Sequence, residues 1–216
     1  MRLPMACMYL LYQIPWADHL IILPFDDRAT AQHLIEAGSH NVLYWTGHGG
    51  TGGGTQPQLN VNADVVGGNF QLINVASTLG VYGSNWSNDC RWKDGNISVA
   101  IFAACKQLDI SIVKYYARLM QASNLRAIAG YHETSPTHPI DTQIANEFFN
   151  QVRAGNSIWY SWRVANEVNS ATTKWAVLVY KSNSNQYYRI PGFPGNTYNP
   201  PAPGSTVYRY WNSYPD

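Results

Sequence analysis

Charged side chains are scarce in this chain of 216 residues: Lys, Arg, Asp and Glu together make up 12% of it, about half the usual share of a soluble domain. The formal net charge is +1, which supplies no field for nucleic acid or anionic lipid. Long apolar runs are missing as well, and none approaches the roughly 18 residues of a membrane span. The expected partners therefore include neither nucleic acid nor a membrane. Cysteine is sparse too. Cys7, Cys90 and Cys105 are odd in number, so at least one is unpaired or bonded outside the chain. That count and the length exclude a disulfide scaffold.

What is present follows from what is not. With so little charge, Asn, Ser, Thr, Gly and Tyr must make the surface polar, and this leans towards an exported protein. The acceptor sequons Asn85-Trp-Ser87 and Asn96-Ile-Ser98 are compatible with a secretory route. The length suits one domain, or one with a C-terminal extension, that buries about two-thirds of its unfolded surface. Residues 1–16 read as a strand, the remnant of a longer chain or a weak signal segment.

Two short runs organise the rest. Asn41–Gly50, NVLYWTGHGG, and Ser98–Asp109, SVAIFAACKQLD, each end an apolar stretch on a reactive residue, His48 and Cys105. The runs are too short for buried helices, and Val42, Leu43, Tyr44, Trp45, Val99, Ile101 and Phe102 favour strands. Apolar character without alternation predicts strands covered on both faces, as in a parallel sheet. Ligands of such sheets sit beyond the carboxyl ends of the strands, where an imidazole and a thiol would meet.

The surrounding pattern agrees. His19–Phe25 predicts a short strand, and Arg28–Ala37 a helix with Asp26 or Asp27 as cap and Gly38 as stop. A strand–helix–strand order implies a right-handed crossover. Gly49–Gly95 is a long connection without a strong period. Within it, Gly50–Thr55 lacks the Gly-Lys-Ser/Thr ending of a phosphate loop, and its glycines suit a backbone passing close to His48 or flexing over a cleft. Phe70–Val81 allows a further strand or helix, and the tryptophans of Ser84–Asn96 read as packing. Asp109–Ser123 carries an apolar stripe at helical spacing. Leu125–Tyr131 reads as a buried strand, Ile140–Ala154 and Ser157–Val168 as helices, and Trp175–Tyr180 as a strand. The tail, residues 181–216, is rich in Tyr, Pro and Gly and reads as a β extension on the same domain, with short strands at Tyr187–Ile190 and Val207–Trp211.

The order of these pieces resembles the caspase-like (clan CD) cysteine peptidases. The carriers are a strand ending in Thr46-Gly47-His48-Gly49 and a later strand ending in Ala103-Ala104-Cys105. Their separation is similar to the roughly 50 residues between the caspase histidine and cysteine. The downstream strand LRAIAGY and the helix–Gly–helix run FFNQVRAGNSIWYSWRVAN bring the likeness nearer the gingipain-like and caspase-homologue branches. The resemblance spans roughly Ala17–Tyr180. Ala103 stands where caspases carry Gln before Ala-Cys, and Tyr160-Ser161-Trp162-Arg163 copies a caspase pocket phrase inside a helical pattern, so an Asp-specific caspase is not implied. The likeness implies a three-layer α/β/α sandwich and a cysteine endopeptidase without cofactor or metal, acting on a peptide or protein substrate. It implies Cys105 as nucleophile, His48 as acid and base, and the N–H groups of Gly49 and Cys105 as oxyanion donors. Gly47, Ala104, His132 and Glu133 are the candidate substrate-pocket positions.

The chemistry has its own logic. A free thiol near pKa 8.5 is only a few per cent ionised at neutral pH, and a neighbouring imidazole favours the thiolate. Taken singly, a cysteine after an apolar strand is more often a small buried hydrophobe, but a histidine between glycines fits a core badly. His132 is the rival histidine, and Glu133 or Asp141 are candidates for recognising a basic side chain. His132 and His138, six residues apart in a loop, make a weak metal pair. Two other functions stay open: a catalytically silent caspase-like domain that binds a peptide or protein, and a surface or carbohydrate-binding module using the eight Trp and fifteen Tyr.

Overall fold

The computed structural model describes residues 20–23, 30–62, 70–137, 139–170, 172–180, 188–190 and 207–211. The N-terminal segment, Cys7, Asp26, Asp27, His138 and most of the Tyr-rich tail lie outside them.

A six-stranded open sheet forms the centre. Its strands are β1 (Leu20–Leu23), β2 (Val42–Thr46), β6 (Val99–Ala103), β7 (Ala127–Tyr131), β8 (Trp175–Tyr180) and β9 (Val207–Trp211), in that spatial order. The first four are mutually parallel, and β8 and β9 run antiparallel to their neighbours. β2, β6 and β7 are buried almost throughout, which explains why their sequences are continuously apolar rather than alternating.

Successive residues nevertheless serve opposite faces. Leu43, Trp45, Ala100, Phe102 and Ile128 pack with Leu34 of α1 (Ala31–Glu36) and with Tyr116, Leu119 and Met120 of α4 (Val113–Ala122). Val42, Tyr44, Ile101, Ala103 and Tyr131 pack instead against α5 (Ile140–Arg153) and α6 (Ile158–Asn169), through Ile144, Phe148, Trp162 and Ala165. Helices thus cover both faces of the sheet. The indole of Trp162 donates to the Gly130 carbonyl at 3.1 Å, and its ring lies 5.3 Å from that of Tyr131. Of the phrase Tyr160-Ser161-Trp162-Arg163, Ser161 and Trp162 are therefore core, while Tyr160 and Arg163 are exposed.

Several boundaries differ from the sequence reading. Thr30 caps α1: its Oγ1 accepts from His33 N at 3.2 Å, while His33 Nδ1 accepts from Thr30 N at 3.3 Å. Here His33 does what Glu or Gln does in the usual reciprocal cap. Gly38 does not stop the helix but sits inside a 3₁₀ turn, Ala37–Ser39. The helix expected from Asp109 begins at Val113, after turns over residues 110–112.

The long connection after His48 contains a second, antiparallel sheet: β3 (Gly49–Gly50), β4 (Gln58–Asn62) and β5 (Phe70–Asn74). β3 has no side chains to betray it, and β4 shows its period only through buried Leu59 and Val61. A one-turn helix, α2 (Val75–Thr78), follows at once, so Phe70–Val81 holds both a strand and a helix. After another short helix, α3 (Trp86–Asp89), Trp92 is fully buried and donates from Nε1 to the Leu34 carbonyl at 3.0 Å.

Candidate active site

The carboxyl ends of β2, β6 and β7 lie side by side, because Thr46 pairs with Ala103 and Phe102 with Gly130 in parallel register. His48, Cys105 and the segment from His132 to Ser135 leave the sheet from these three ends, at one edge.

Gly47 opens the first turn with φ of 151°, a conformation closed to residues with a Cβ. It releases His48 from β2 onto the surface, where it is exposed. Asn60 N donates to the His48 carbonyl at 3.0 Å. With Gly49 opposite Leu59, that bond makes the two a non-hydrogen-bonded pair, so the Gly49 N–H is directed away from β4. The glycine run beyond it reverses the chain. Gly52, Gly53 and Gly54 all have positive φ, and the N–H groups of Gly54, Thr55 and Gln56 converge on the Thr51 carbonyl, each at 3.0 Å. A strand follows rather than a helix, so the run builds a hairpin turn.

The second turn is tighter. Ala104 is buried and Cys105 half-buried, and Lys106 then adopts φ of 59°, a left-handed conformation that costs a non-glycine residue about 1–2 kcal/mol. Lys106 N donates to the Glu133 carbonyl and Leu108 N to the Tyr131 carbonyl, both at 2.8 Å. These bonds hold the reversal and lace the Cys105 turn to the chain leaving β7.

Gln107 joins the first turn to the second. Fully buried, it donates from Nε2 to the Gln58 carbonyl at 2.8 Å and to the Cys105 carbonyl at 3.0 Å, while its Oε1 accepts from the Tyr116 hydroxyl at 2.6 Å. One side chain thus ties the β4 hairpin, the Cys105 turn and α4 together. Gly49 is wedged against this clamp: a methyl group on it would lie 2.5 Å from Gln107 Nε2, 2.9 Å from the Cys105 carbonyl oxygen and 3.1 Å from Ala104 Cβ. His48 is the neighbour of Gly49, so its backbone is a single peptide, about 3.8 Å, from a residue packed on Cys105.

The thiol itself meets Ser135. Cys105 Sγ lies 3.2 Å from Ser135 Oγ and accepts from Ser135 N at 3.3 Å. On the side of α5 and α6 lies Tyr131, whose phenol is pushed well above its usual range by burial and further by Tyr44, Asp141 and Cys105. Asp141 stands in the first turn of α5. Burial likewise raises Cys90, leaving it a thiol without the ionisation that reactivity needs.

Of the pocket positions, Gly47 flanks the histidine and buried Ala104 the cysteine. His132 is half-buried and donates its N–H to the Lys174 carbonyl at 3.0 Å. Glu133 is exposed and contributes its carbonyl to the Lys106 bond. Sequence reasoning missed Gln107 and Ser135. Ser135 was hidden in a Ser-Pro pair that signals only a local turn. Gln107, two residues after the cysteine and between Lys106 and Leu108-Asp109, reads like any polar loop residue and carried no signal. Among the described residues, no group of three or more His, Cys, Asp or Glu is placed to hold a metal ion, and no helix is long and apolar enough to cross a membrane.

Compared with known proteins, the chain matches no family model and no curated protein.

Proposed function

We propose that the protein is a cysteine endopeptidase of caspase-like fold, with Cys105 as nucleophile and His48 as its acid–base partner. The observation that carries this reading is the wedge of Gly49 between the Cys105 carbonyl and Gln107, which ties the His48 turn to the Cys105 turn at the carboxyl edge of adjacent parallel strands.

In the proposed reaction the Cys105 thiolate attacks the scissile carbonyl carbon, and the carbonyl oxygen takes up negative charge. The N–H of Gly49, free of the β4 ladder, and that of Cys105 receive that charge; one such donor is typically worth about 3–4 kcal/mol of barrier. The His48 imidazolium protonates the departing amine, leaving an acyl-cysteine and a neutral imidazole. His48 then takes a proton from water, whose oxygen attacks the acyl carbon; collapse frees the carboxylic acid and restores the Cys105 thiolate beside the His48 imidazolium. The exposure of His48 suits a group that must meet both leaving amine and water. Glu133, which leaves β7 at the same edge as the thiol, or Asp141 in the first turn of α5 would favour substrates with a basic side chain beside the cleaved bond.

A thiol-directed peptidyl probe tests the reading. Wild type should be labelled and should cleave a peptide library, Cys105→Ala should do neither, and Cys90→Ala should retain both. His48→Ala should slow labelling near neutral pH more than His132→Ala does. Labelling of Cys105 without cleavage would favour a silent peptide-binding domain. Equal labelling of wild type and Cys105→Ala would overturn the nucleophile, and specific retention on a glycan surface would then favour a carbohydrate-binding module.

A further inference from the structure

Resting on the reading of Cys105 as nucleophile, we infer that Ser135 is a second partner of the thiol: its main-chain N–H and its hydroxyl cradle the sulfur and favour the thiolate, independently of His48. Two contacts carry this, Ser135 N to Sγ at 3.3 Å and Ser135 Oγ to Sγ at 3.2 Å. The main-chain group can only donate, so the sulfur is the acceptor there. The hydroxyl can turn to donate as well once the sulfur is ionised. Hydrogen bonds to the charged form of an acid favour that form, and those to a full charge are about twice as strong as neutral ones.

The cradle is built before substrate arrives. Pro136 follows Ser135 and confines it to extended backbone, so the amide is aimed at little entropic cost. The approach to it is fixed by Lys106 N on the Glu133 carbonyl and by His132 N on the Lys174 carbonyl. Lys106 turns left-handed directly after the cysteine, which keeps the thiol beside the chain leaving β7. Buried Tyr131 closes β7 on the face packed against α5 and α6. Among the described residues, the titratable side chains on these loops and the elements beside them include Tyr44 on β2, Tyr131 on β7, His48, His132, Glu133, Lys106, Asp109, Lys174 and Asp141. Ser135 donates without changing its own protonation, so its effect on the thiol persists where the imidazoles are neutral.

The test is the pH dependence of iodoacetamide alkylation at Cys105, read by peptide mapping so that Cys7 and Cys90 are scored apart. Ser135→Ala, which keeps the amide, should move the alkylation midpoint up by about half a unit to one unit. Ser135→Thr should restore it. Ser135→Pro, which removes the amide donor too, should move it further than Ser135→Ala. The shift should reappear in a His48→Ala background with similar size. A midpoint that stays within about 0.2 unit of wild type in Ser135→Ala, in a protein of unchanged melting temperature, overturns the cradle; so does a shift that Ser135→Thr fails to reverse. Peptidase activity is measured separately. An inactive wild type with a shifted Ser135→Ala midpoint would sink the peptidase reading and leave the cradle, and activity with an unshifted midpoint would do the reverse.

Discussion

Replacing Gln107 by Leu keeps the volume of the side chain and removes its hydrogen bonds, which makes it the sharpest probe of how the site is held. The Tyr116 hydroxyl, in a fully buried residue, loses the acceptor it reaches at 2.6 Å, and the Cys105 carbonyl loses a donor at 3.0 Å. Each buried group left unsatisfied costs about 1–3 kcal/mol. The Gln58 carbonyl loses Nε2 at 2.8 Å but faces Gly50 in the ladder, so its share is smaller. Apolar Leu recovers part of the loss, and the net destabilisation should be about 2–4 kcal/mol. For a chain of this size that is a drop in melting temperature of about 5–15 °C. Urea titration should show a lower midpoint with an unchanged slope, since the buried surface is the same. The pair Gln107→Leu and Tyr116→Phe provides the internal control. Removing both partners leaves no orphaned hydroxyl, so the double variant should be more stable than the sum of the single losses by about 1–2 kcal/mol. If Gln107→Leu lies within about 0.5 kcal/mol of wild type, or the cycle is additive, the clamp does not hold the turns together.

Gly49→Ala should destabilise the protein by about 1–3 kcal/mol through overpacking and slow alkylation of Cys105. The new methyl meets a carbonyl and an amide that is itself pinned by three bonds; a urea midpoint equal to wild type would refute this. Stability should also fall at high pH. Burial raises the phenols of Tyr116, Tyr131 and Tyr188, and that of Tyr180 to about 12. The unfolded chain gives up these protons near its own value of about 10 while the folded chain keeps them, so the stabilisation is complete below about pH 10. For Tyr180 it is lost between about 10 and 12. A urea midpoint that stays flat from about pH 9 to pH 11 would contradict it.

The sequence by itself determined the strands that build the sheet, because strands buried on both faces must be apolar throughout and end sharply where the chain leaves the core. β2, β6, β7 and β8 lie where their apolar runs lie, and the two helices before β8 show as stripes at helical spacing. The same logic placed His48 and Cys105 at strand ends. It did not reveal β3, a strand of two glycines whose only evidence is its partner, nor that the chain between His48 and Cys105 holds a second sheet. Only the tertiary structure decided which groups meet at the edge. Gln107 and Ser135 act through contacts made by chains 49 and 30 residues apart in sequence, and no local period records such a contact. The cap of α1 shows the same division on a smaller scale. Two aspartates upstream matched the composition of a cap, but the reciprocal bonds of Thr30 and His33 depend on where the backbone turns, and tertiary packing fixes that.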